Sequence, residues 1–407
     1  MYVLFIIIHF LNRLLKISGA LCFKKLHQLI MFLRKVCDMK RAFIEGEMMY
    51  IYDKYNRLSE SNNKYSLVDN IITCGFSFIM WIIMGFNKYN ADYFVYEHIF
   101  KSVNAYGIQS SLNIESGFQA IMRLIGMFTN DYQVFLRIFS LIAILLFLYS
   151  LKRYTKKVGL ILFLFCLFGF LSNAIQLRSF LSMSFLLLGT WHLIYEDGFK
   201  SIIKFLLYVL VGSQFHITIL FYLILLVIKF STRTIYLITL ILILSITAFY
   251  GNIVLLFGDT KFAGYVSSQS GLGLTKTIVL FIYFVCNLIL IWTISTADKR
   301  LENEPLAKKI FFINLLVSSS MILVVVNNNF IRFIRNIYIL NYVVFSNFVL
   351  LNYKCTKMKN YFFIVVYFLF IFISLYFFTI QGSAFEIGVK PLFTDNLFLD
   401  RIIKFFK

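Results

Sequence analysis

An arginine and a glutamine interrupt an apolar stretch that otherwise suits a lipid bilayer. The stretch is SNAIQLRSFLSMSFLLLGTWHLIY, residues 172–195, and it carries Gln176 and Arg178. A guanidinium keeps its charge at any accessible pH, so burying it without water, an anion or a polar partner is costly. Arg178 therefore either extends to the outer headgroups or lines a polar cavity, and the neighbouring glutamine favours the cavity.

Five more residues are candidates for chemistry. Arg332 and Arg335, in NNNFIRFIRNIY, are three apart and share one helix face; they suit phosphate oxygens, from a substrate or from lipid headgroups. His216, in SQFHITIL, suits a base for a hydroxyl proton, or else packs as a neutral ring. Asp92 and Glu115 lie in a polar connection, where simple solvation is the alternative.

The sequence contains no pattern typical of a metal site. HExxH, DxD and carboxylates at ligand spacing are all missing, and the six cysteines form no CxxC pair. We therefore expect no metal, no cofactor and no disulfide framework. The arginines would supply the positive charge that a divalent ion supplies elsewhere.

The composition is that of a polytopic helical membrane protein. Hydrophobic residues make up 60% of the 407 residues, charged residues 14%, and the mean hydropathy is +0.82. Runs such as YFFIVVYFLFIFISLYFF are too long for soluble core helices and lack the alternation of a barrel. The net charge of +20 lies in short connections, which indicates membrane orientation rather than nucleic-acid binding. We predict an all-α fold with ten to twelve transmembrane helices.

Basic connections set the expected domains and topology. The first 66 residues hold 11 of the 39 Lys and Arg, which predicts a cytoplasmic or interfacial segment over 1–66, with a candidate short span at 2–11. A polytopic membrane domain follows over 67–380. The tail 381–407 ends in an amphipathic stretch suited to the interface. The connection 87–132 is polar and sparse in Lys and Arg, which predicts an external loop.

Alternation then gives the individual spans. The stretch 202–229 has basic residues at both ends, so we expect a re-entrant or short-helix hairpin with GSQFH at its apex. A tight external turn is expected at SNA, residues 172–174. The other spans are expected near 68–86, 133–151, 158–171, 175–195, 235–254, 277–295, 310–326, 333–352 and 361–380.

This threading places eight polar residues in or beside external connections. They are Asp92, Tyr93, Tyr96, Glu115, Arg178, His216, Arg332 and Arg335. Cationic groups that converge on an external cavity predict an anionic ligand. At a bilayer surface the obvious candidate is a lipid-linked pyrophosphate.

Five motifs between about 68 and 350 resemble a known family. They are, in order, NADYFVYEHIF, IESGFQAIMRLIG, IQLRSFLSMS, SQFHITIL and FIRFIRNIY. Their order and spacing resemble the pattern of the EpsG-type, Wzy-like polysaccharide polymerases, although the glutamine here precedes the arginine of the third motif.

The resemblance implies a GT-C-like membrane glycosyltransferase that uses no nucleotide sugar. It would act at the outer face of the inner (cytoplasmic) membrane of a bacterium, building a capsule, exopolysaccharide or O-antigen. It would transfer a growing glycan from undecaprenyl pyrophosphate to a repeat unit on a second undecaprenyl pyrophosphate. Membrane lipids, a flippase and a chain-length regulator would be its partners.

Three roles follow for the candidates. The groups expected to bind pyrophosphate are Arg178, Arg332 and Arg335. The candidates for the base, in order of preference, are His216 and then Asp92 or Glu115. The residues expected to bind sugar are Tyr93, Tyr96 and Gln176, and interfacial anchoring is the alternative for the two tyrosines.

Two other classes of membrane protein remain open from the sequence. A flippase for lipid-linked oligosaccharide would also need a cationic cavity, but with cations on both sides of the midplane and two-fold repetition. An O-acyltransferase is disfavoured because no paired His or Cys motif suits acyl transfer.

Overall fold

The structure is a computed structural model, and it describes most of the chain after residue 61. The described residues are 62–109, 112, 114–248, 274–297, 304–326, 330–352, 365, 367–369, 371–372 and 385–406. The chain divides into two compact units, Met1–Tyr65 and Ser66–Lys407. The predicted span at 2–11 lies outside the described residues, as does most of the predicted span at 361–380.

Helices make up nearly all of the described chain. In chain order they are α1 Asn62–Gly85, α2 Tyr93–Tyr106, α3 Ser116–Gly126, α4 Tyr132–Lys152, α5 Gly159–Leu167, α6 Phe170–Ile175, α7 Leu177–Tyr195, α8 Phe199–Ser213, a 3₁₀ helix Ile217–Lys229, α9 Thr232–Ala248, α10 Leu274–Ala297, α11 Glu304–Val317, a 3₁₀ turn Ser318–Ser320, α12 Met321–Val326, α13 Ile331–Asn352, a π-helical turn Phe385–Val389, α14 Pro391–Thr394 and α15 Leu397–Phe406. No strand occurs among the residues described, so the all-α prediction is confirmed.

Four described helices are long and apolar enough to cross a membrane. They cover Leu67–Gly85, Tyr132–Lys152, Leu177–Tyr195 and Leu306–Val324. Shorter apolar helices cover Ile217–Lys229, Thr232–Ala248 and Thr277–Thr293. The chain is therefore a polytopic membrane protein, as the composition predicted.

The predicted hairpin over 202–229 is present. Its first arm is α8 and its second arm is the 3₁₀ helix Ile217–Lys229, with Gln214, Phe215 and His216 at the apex. The open end of the hairpin lies beside the end of α7. There Lys204 Nζ lies 2.8 Å from Glu196 Oε2, and Lys229 donates to the Glu196 carbonyl. Both ends of the hairpin therefore lie on one side of the domain, opposite the apex.

Small residues let the hairpin pack closely against α7. A Cβ at Gly189 would lie 3.1 Å from side-chain atoms of Phe205 and Tyr208, and one at Gly212 would lie 3.2 Å from Cβ of Phe185 in α7. The ring of Phe215 at the apex stacks on Phe185 of α7, with the centroids 5.5 Å apart. The apex thus packs on the first half of α7, and Arg178 lies in the first turn of that helix.

Two local predictions differ from the structure. The predicted turn at 172–174 is wrong, because these residues lie in α6. The chain breaks before α6, at Phe168 and Gly169, where Gly169 has a φ of +118°. It breaks again after α6, at Gln176. Asn173 supports the short helix by donating from its side chain to the Gly169 carbonyl. The connection predicted as a loop over 87–132 consists mainly of α2 and α3.

The tail docks on the end of α1. Leu397 N donates to the Phe86 carbonyl at 2.8 Å, and the Asn396 amide donates to the Ile82 carbonyl at 3.0 Å. Lys88 N donates in turn to the Asp395 carbonyl at 2.6 Å. These bonds satisfy backbone groups that the end of a helix leaves unpaired, and they fix the start of the segment that leads into α2.

Candidate functional site

Glu115 is presented by a short connection that Gln119 holds in place. The Gln119 side chain accepts a bond from Gln109 N at 2.8 Å and donates to the carbonyls of Gln109 and Ile114, both at 3.0 Å. Gln119 is buried in α3, and its bonds tie Gln109 and Ile114 to that helix. The carboxylate at the start of α3 therefore has a defined position.

The start of α3 docks directly on the apex of the hairpin. Phe118 N donates to the Gln214 carbonyl at 3.1 Å, and Ser116 Oγ donates to Gln214 Oε1 at 3.0 Å. Gly117 makes this approach possible, because a Cβ there would lie 2.6 Å from Gln214 Cβ and 2.7 Å from its carbonyl oxygen. Glu115 and His216 are brought together by this contact.

Substitution Gly117→Ala is expected to separate α3 from the apex. The added methyl meets backbone atoms that no side-chain rotation can move, and such overpacking typically costs about 1–3 kcal/mol. We expect a lower melting temperature in detergent and lower activity. The matched control is Gly75→Ala in α1, where the added Cβ has open space and both properties should stay at the wild-type level. Equal behaviour of the two variants would contradict the docking contact.

The Glu115 carboxylate joins three elements of the fold. One oxygen pairs with Arg178 Nη1, and the other accepts a bond from Ile217 N at 3.0 Å. The latter oxygen also lies 3.5 Å from His216 Nδ1. A single carboxylate thus connects the start of α7 to the hairpin apex.

Tyr96 and Asp92 extend this network to α2. Arg178 Nε donates to Tyr96 Oη at 3.2 Å, and the guanidinium carbon lies 5.5 Å from the centre of the tyrosine ring. Tyr96 Oη in turn donates to Asp92 Oδ2 at 3.4 Å. Because Asp92 and Tyr96 are four apart at the start of α2, they face the same side.

The first turn of α13 is fixed against the second arm of the hairpin. The ring of Phe221 stacks on Phe333 with centroids 4.2 Å apart, and Tyr222 Oη donates to the Phe333 carbonyl at 2.7 Å. This packing places Arg332 beside the apex, where its Nη1 lies 3.0 Å from His216 Nε2. Residues 116 positions apart in sequence therefore meet.

Arg335 lies one turn further along the same helix and is deeply buried. Its residue is 7% exposed, and its Nη2 donates to Gln176 Oε1 at 2.7 Å. Its Nε has no hydrogen-bond partner among the residues described. A buried guanidinium whose described acceptor is a neutral amide is short of negative charge.

We call this set of eight residues the charged cluster. Its members are Asp92, Tyr96, Glu115, Gln176, Arg178, His216, Arg332 and Arg335. These eight residues include three guanidinium groups and two carboxylates, so their own net charge is +1 when both carboxylates are ionised and the histidine is neutral. The described residues contain no group of three or more His, Cys, Asp or Glu side chains placed to hold a metal ion.

Burial and neighbouring charges set the protonation of three groups in the charged cluster. Burial opposes ionisation of Glu115, but its contacts with His216 and Arg178 outweigh burial and lower its pKa to about 2. Burial, aided by the charges of Arg332 and Arg178, lowers the pKa of His216 to about 4. Burial raises the pKa of Asp92 despite the two arginines nearby. At neutral pH the histidine is therefore a neutral ring.

These residues all lie within a stretch that matches a known protein family. The sequence model of the EpsG family matches residues 70–391. The chain belongs to the EpsG family. At the level of the family, this gives it a role in polysaccharide biosynthesis. No curated protein and no solved structure matched the chain.

Of the nine site residues predicted from sequence in this EpsG protein, eight meet in the charged cluster. The ninth is Tyr93, whose hydroxyl accepts a bond from Gln133 Nε2 at 2.8 Å and whose ring packs edge-on against Tyr132. It is buried among aromatic residues and makes no described contact with the cluster. The sugar-binding role of Tyr93 stays a prediction that these contacts do not support.

Sequence reasoning missed two residues that support the charged cluster. Tyr222 fastens the hairpin to α13, and the side chain of Asn336, next to Arg335, hydrogen-bonds Tyr222. Asn336 offered a signal, since it is a polar residue in an apolar helix beside an arginine. Tyr222 gave little signal in the sequence, because its hydroxyl bonds a carbonyl 111 residues away.

Proposed function

We propose that this EpsG protein polymerises a surface polysaccharide at the outer face of a bacterial inner membrane. The donor is a glycan on undecaprenyl pyrophosphate, and the acceptor is a repeat unit on a second undecaprenyl pyrophosphate. The family match supports a role in polysaccharide biosynthesis, and the charged cluster supports a substrate that carries phosphate.

Arg335 is the observation that carries the proposal. A guanidinium buried with an amide as its described acceptor loses the stabilisation that water would give it. An anion that enters the cluster would restore that stabilisation. Phosphate and diphosphate oxygens fit this demand, because guanidinium groups bind them in paired, planar geometry.

The proposed reaction transfers the glycan from the diphosphate to the acceptor hydroxyl. The acceptor hydroxyl attacks the anomeric carbon of the donor, a new C–O bond forms, and the bond from that carbon to the diphosphate oxygen breaks. The electron pair leaves with the diphosphate, whose growing negative charge the arginines stabilise. The hydroxyl proton goes to Nε2 of His216, and the nearby Glu115 carboxylate stabilises the resulting imidazolium.

His216 is our choice for the base because its Nε2 lies 3.0 Å from Nη1 of Arg332, which is expected to bind the diphosphate beside the reacting carbon. Glu115 is paired with Arg178 and has a pKa of about 2, which makes it a weak proton acceptor. Asp92 is the second choice, because burial raises its pKa and so makes it more basic than usual. The distinction is tested by the variants described in the Discussion.

Deletion of the gene distinguishes this function from its rivals. Lipid-linked material from the deletion strain is separated on a gel, and its exposure is probed from outside the cell. A polymerase deletion should accumulate single repeat units that are accessible from outside. Complementation with the wild-type gene should restore the polymer ladder, whereas the Arg335→Gln gene should not.

Two other outcomes would overturn the proposal. Single repeat units protected inside the cell would indicate a flippase. Polymer of normal length that lacks an ester would indicate an acyltransferase.

A further inference from the structure

The bond between Arg332 and His216 fixes the tautomer of the histidine. A guanidinium only donates hydrogen bonds, so Nε2, 3.0 Å from Arg332 Nη1, must accept with its lone pair. The ring proton of the neutral histidine is therefore on Nδ1. That nitrogen faces Glu115 Oε1 at 3.5 Å, which favours the same assignment.

This arrangement creates a conflict with the proposed role of His216. A base must offer a lone pair to the substrate hydroxyl, and the lone pair of this ring is at Nε2. In the structure Arg332 uses that lone pair. The ring is 4% exposed, so a hydroxyl cannot approach Nε2 while Arg332 stays in place.

The other two arginines of the charged cluster also contact side chains of the protein. Glu115 pairs with Arg178, and so occupies a guanidinium that is expected to bind phosphate. The amide of Gln176 likewise occupies Arg335. Each of the three arginines thus contacts a side chain of the protein: Glu115, Gln176 or His216.

We propose that Arg332 has two partners in succession, first Nε2 of His216 and then a diphosphate oxygen, so that the arrival of the diphosphate exposes the base. The inference rests on the proposed function and adds an order of events to it. Arg332 acts as a positioning residue before it binds the ligand. An acceptor hydroxyl that enters before a diphosphate meets a histidine that cannot take its proton.

The order keeps the base covered in the protein without ligand. Charged and titratable groups face His216 from three elements: Glu115 before α3, Arg178 on α7 and Arg332 on α13. Of these, Arg332 is the group that contacts Nε2. Nε2 is therefore available to a hydroxyl only while a diphosphate binds Arg332.

Nitrogen NMR on histidine can test the exchange directly. The full chain is labelled with ¹⁵N-histidine, placed in nanodiscs of zwitterionic lipid and titrated with inorganic pyrophosphate at pH 8. His216→Gln identifies the signal among the five histidines. Calorimetry on the same sample measures whether pyrophosphate binds.

The expected result is a downfield shift of the Nε2 signal as pyrophosphate binds. An unprotonated ring nitrogen moves downfield when it loses a hydrogen bond, whereas protonation would move it strongly upfield. In the variant Arg332→Met, which has no donor, the signal should begin at the downfield position and stay there when pyrophosphate is added. In Arg233→Gln, a control in α9 outside the charged cluster, the signal should behave as in the wild type.

The two hypotheses fail in different ways. Pyrophosphate that binds while Nε2 stays hydrogen-bonded overturns the exchange and leaves the polymerase proposal intact. An Nε2 signal that is identical in wild type and Arg332→Met also overturns the exchange. Absence of pyrophosphate binding in the wild type overturns both.

Discussion

Substitution Arg335→Gln should lower kcat/KM for polymerisation by about 10²- to 10³-fold, the loss that follows removal of one preorganised donor to a developing negative charge. Glutamine keeps much of the length and can still contact Gln176, but it carries no charge. The rate is measured with purified protein and lipid-linked repeat units, with polymer resolved on a gel. Arg335→Lys should be intermediate, because a lysine retains the charge without the planar fork.

Stability separates this effect from a folding defect. In the structure Arg335 is a buried charge whose described acceptor is neutral, so its removal should leave the melting temperature unchanged or raise it. Arg233→Gln, at an exposed position in α9, is the control for loss of one positive charge and should retain full activity. Wild-type activity in Arg335→Gln would remove the main support for the polymerase proposal, and a large drop in melting temperature would contradict our account of the residue.

Substitution His216→Ala should lower kcat by about 10²- to 10⁴-fold, the usual contribution of a general base. The binding of the lipid-linked substrate should change little, since the arginines remain. The control is His192→Ala: this histidine also contacts a glutamate, with Nδ1 2.9 Å from Glu196 Oε1, but it lies at the other end of α7. A fall in activity confined to His216→Ala would indicate a role in the charged cluster.

The pH dependence gives the sign of this role. The base works only when unprotonated, and burial holds the pKa of His216 at about 4 rather than its ordinary value near 6.5. The acid limb of kcat/KM, which reports the protein without substrate, should therefore lie well below pH 6, and kcat/KM should be flat near neutrality. In Arg332→Gln one positive charge beside the ring is lost, so the limb should move to higher pH. If instead Asp92→Asn abolished polymer and His216→Ala did not, Asp92 would be the base.

The sequence predicted much of the charged cluster because charges are conspicuous in an apolar chain. Arg178 lies in the first turn of its helix as expected, since the connections before and after this apolar stretch defined where the span begins and ends. The hairpin at 202–229 followed from basic residues at both ends, which only a returning segment satisfies. Arg332 and Arg335 share a face because three residues make nearly one helical turn.

The remainder depends on contacts between distant residues. The break between α5 and α6 lies at Gly169, whose backbone has a positive φ. A single glycine in an apolar run does not reveal whether its φ is positive, so the sequence did not predict this break. The motif does not distinguish Tyr93 from Tyr96. In the structure Gln133 donates to the hydroxyl of Tyr93, whereas Arg178 donates to the hydroxyl of Tyr96. The tautomer of His216 depends on an arginine that follows 116 residues later.

The docking of the tail on α1 has a consequence for how the molecule matures. Asn396 and Ile82 are 314 residues apart, so the end of α1 leaves the ribosome long before its partner exists. The helices that carry Arg178, His216 and Arg332 are inserted in that interval, while Phe86 and Lys88 still lack the backbone bonds that steady the entry to α2. The bonds between the tail and α1 therefore form late in biogenesis. A chain halted before residue 395 would contain every residue of the charged cluster but would lack these bonds.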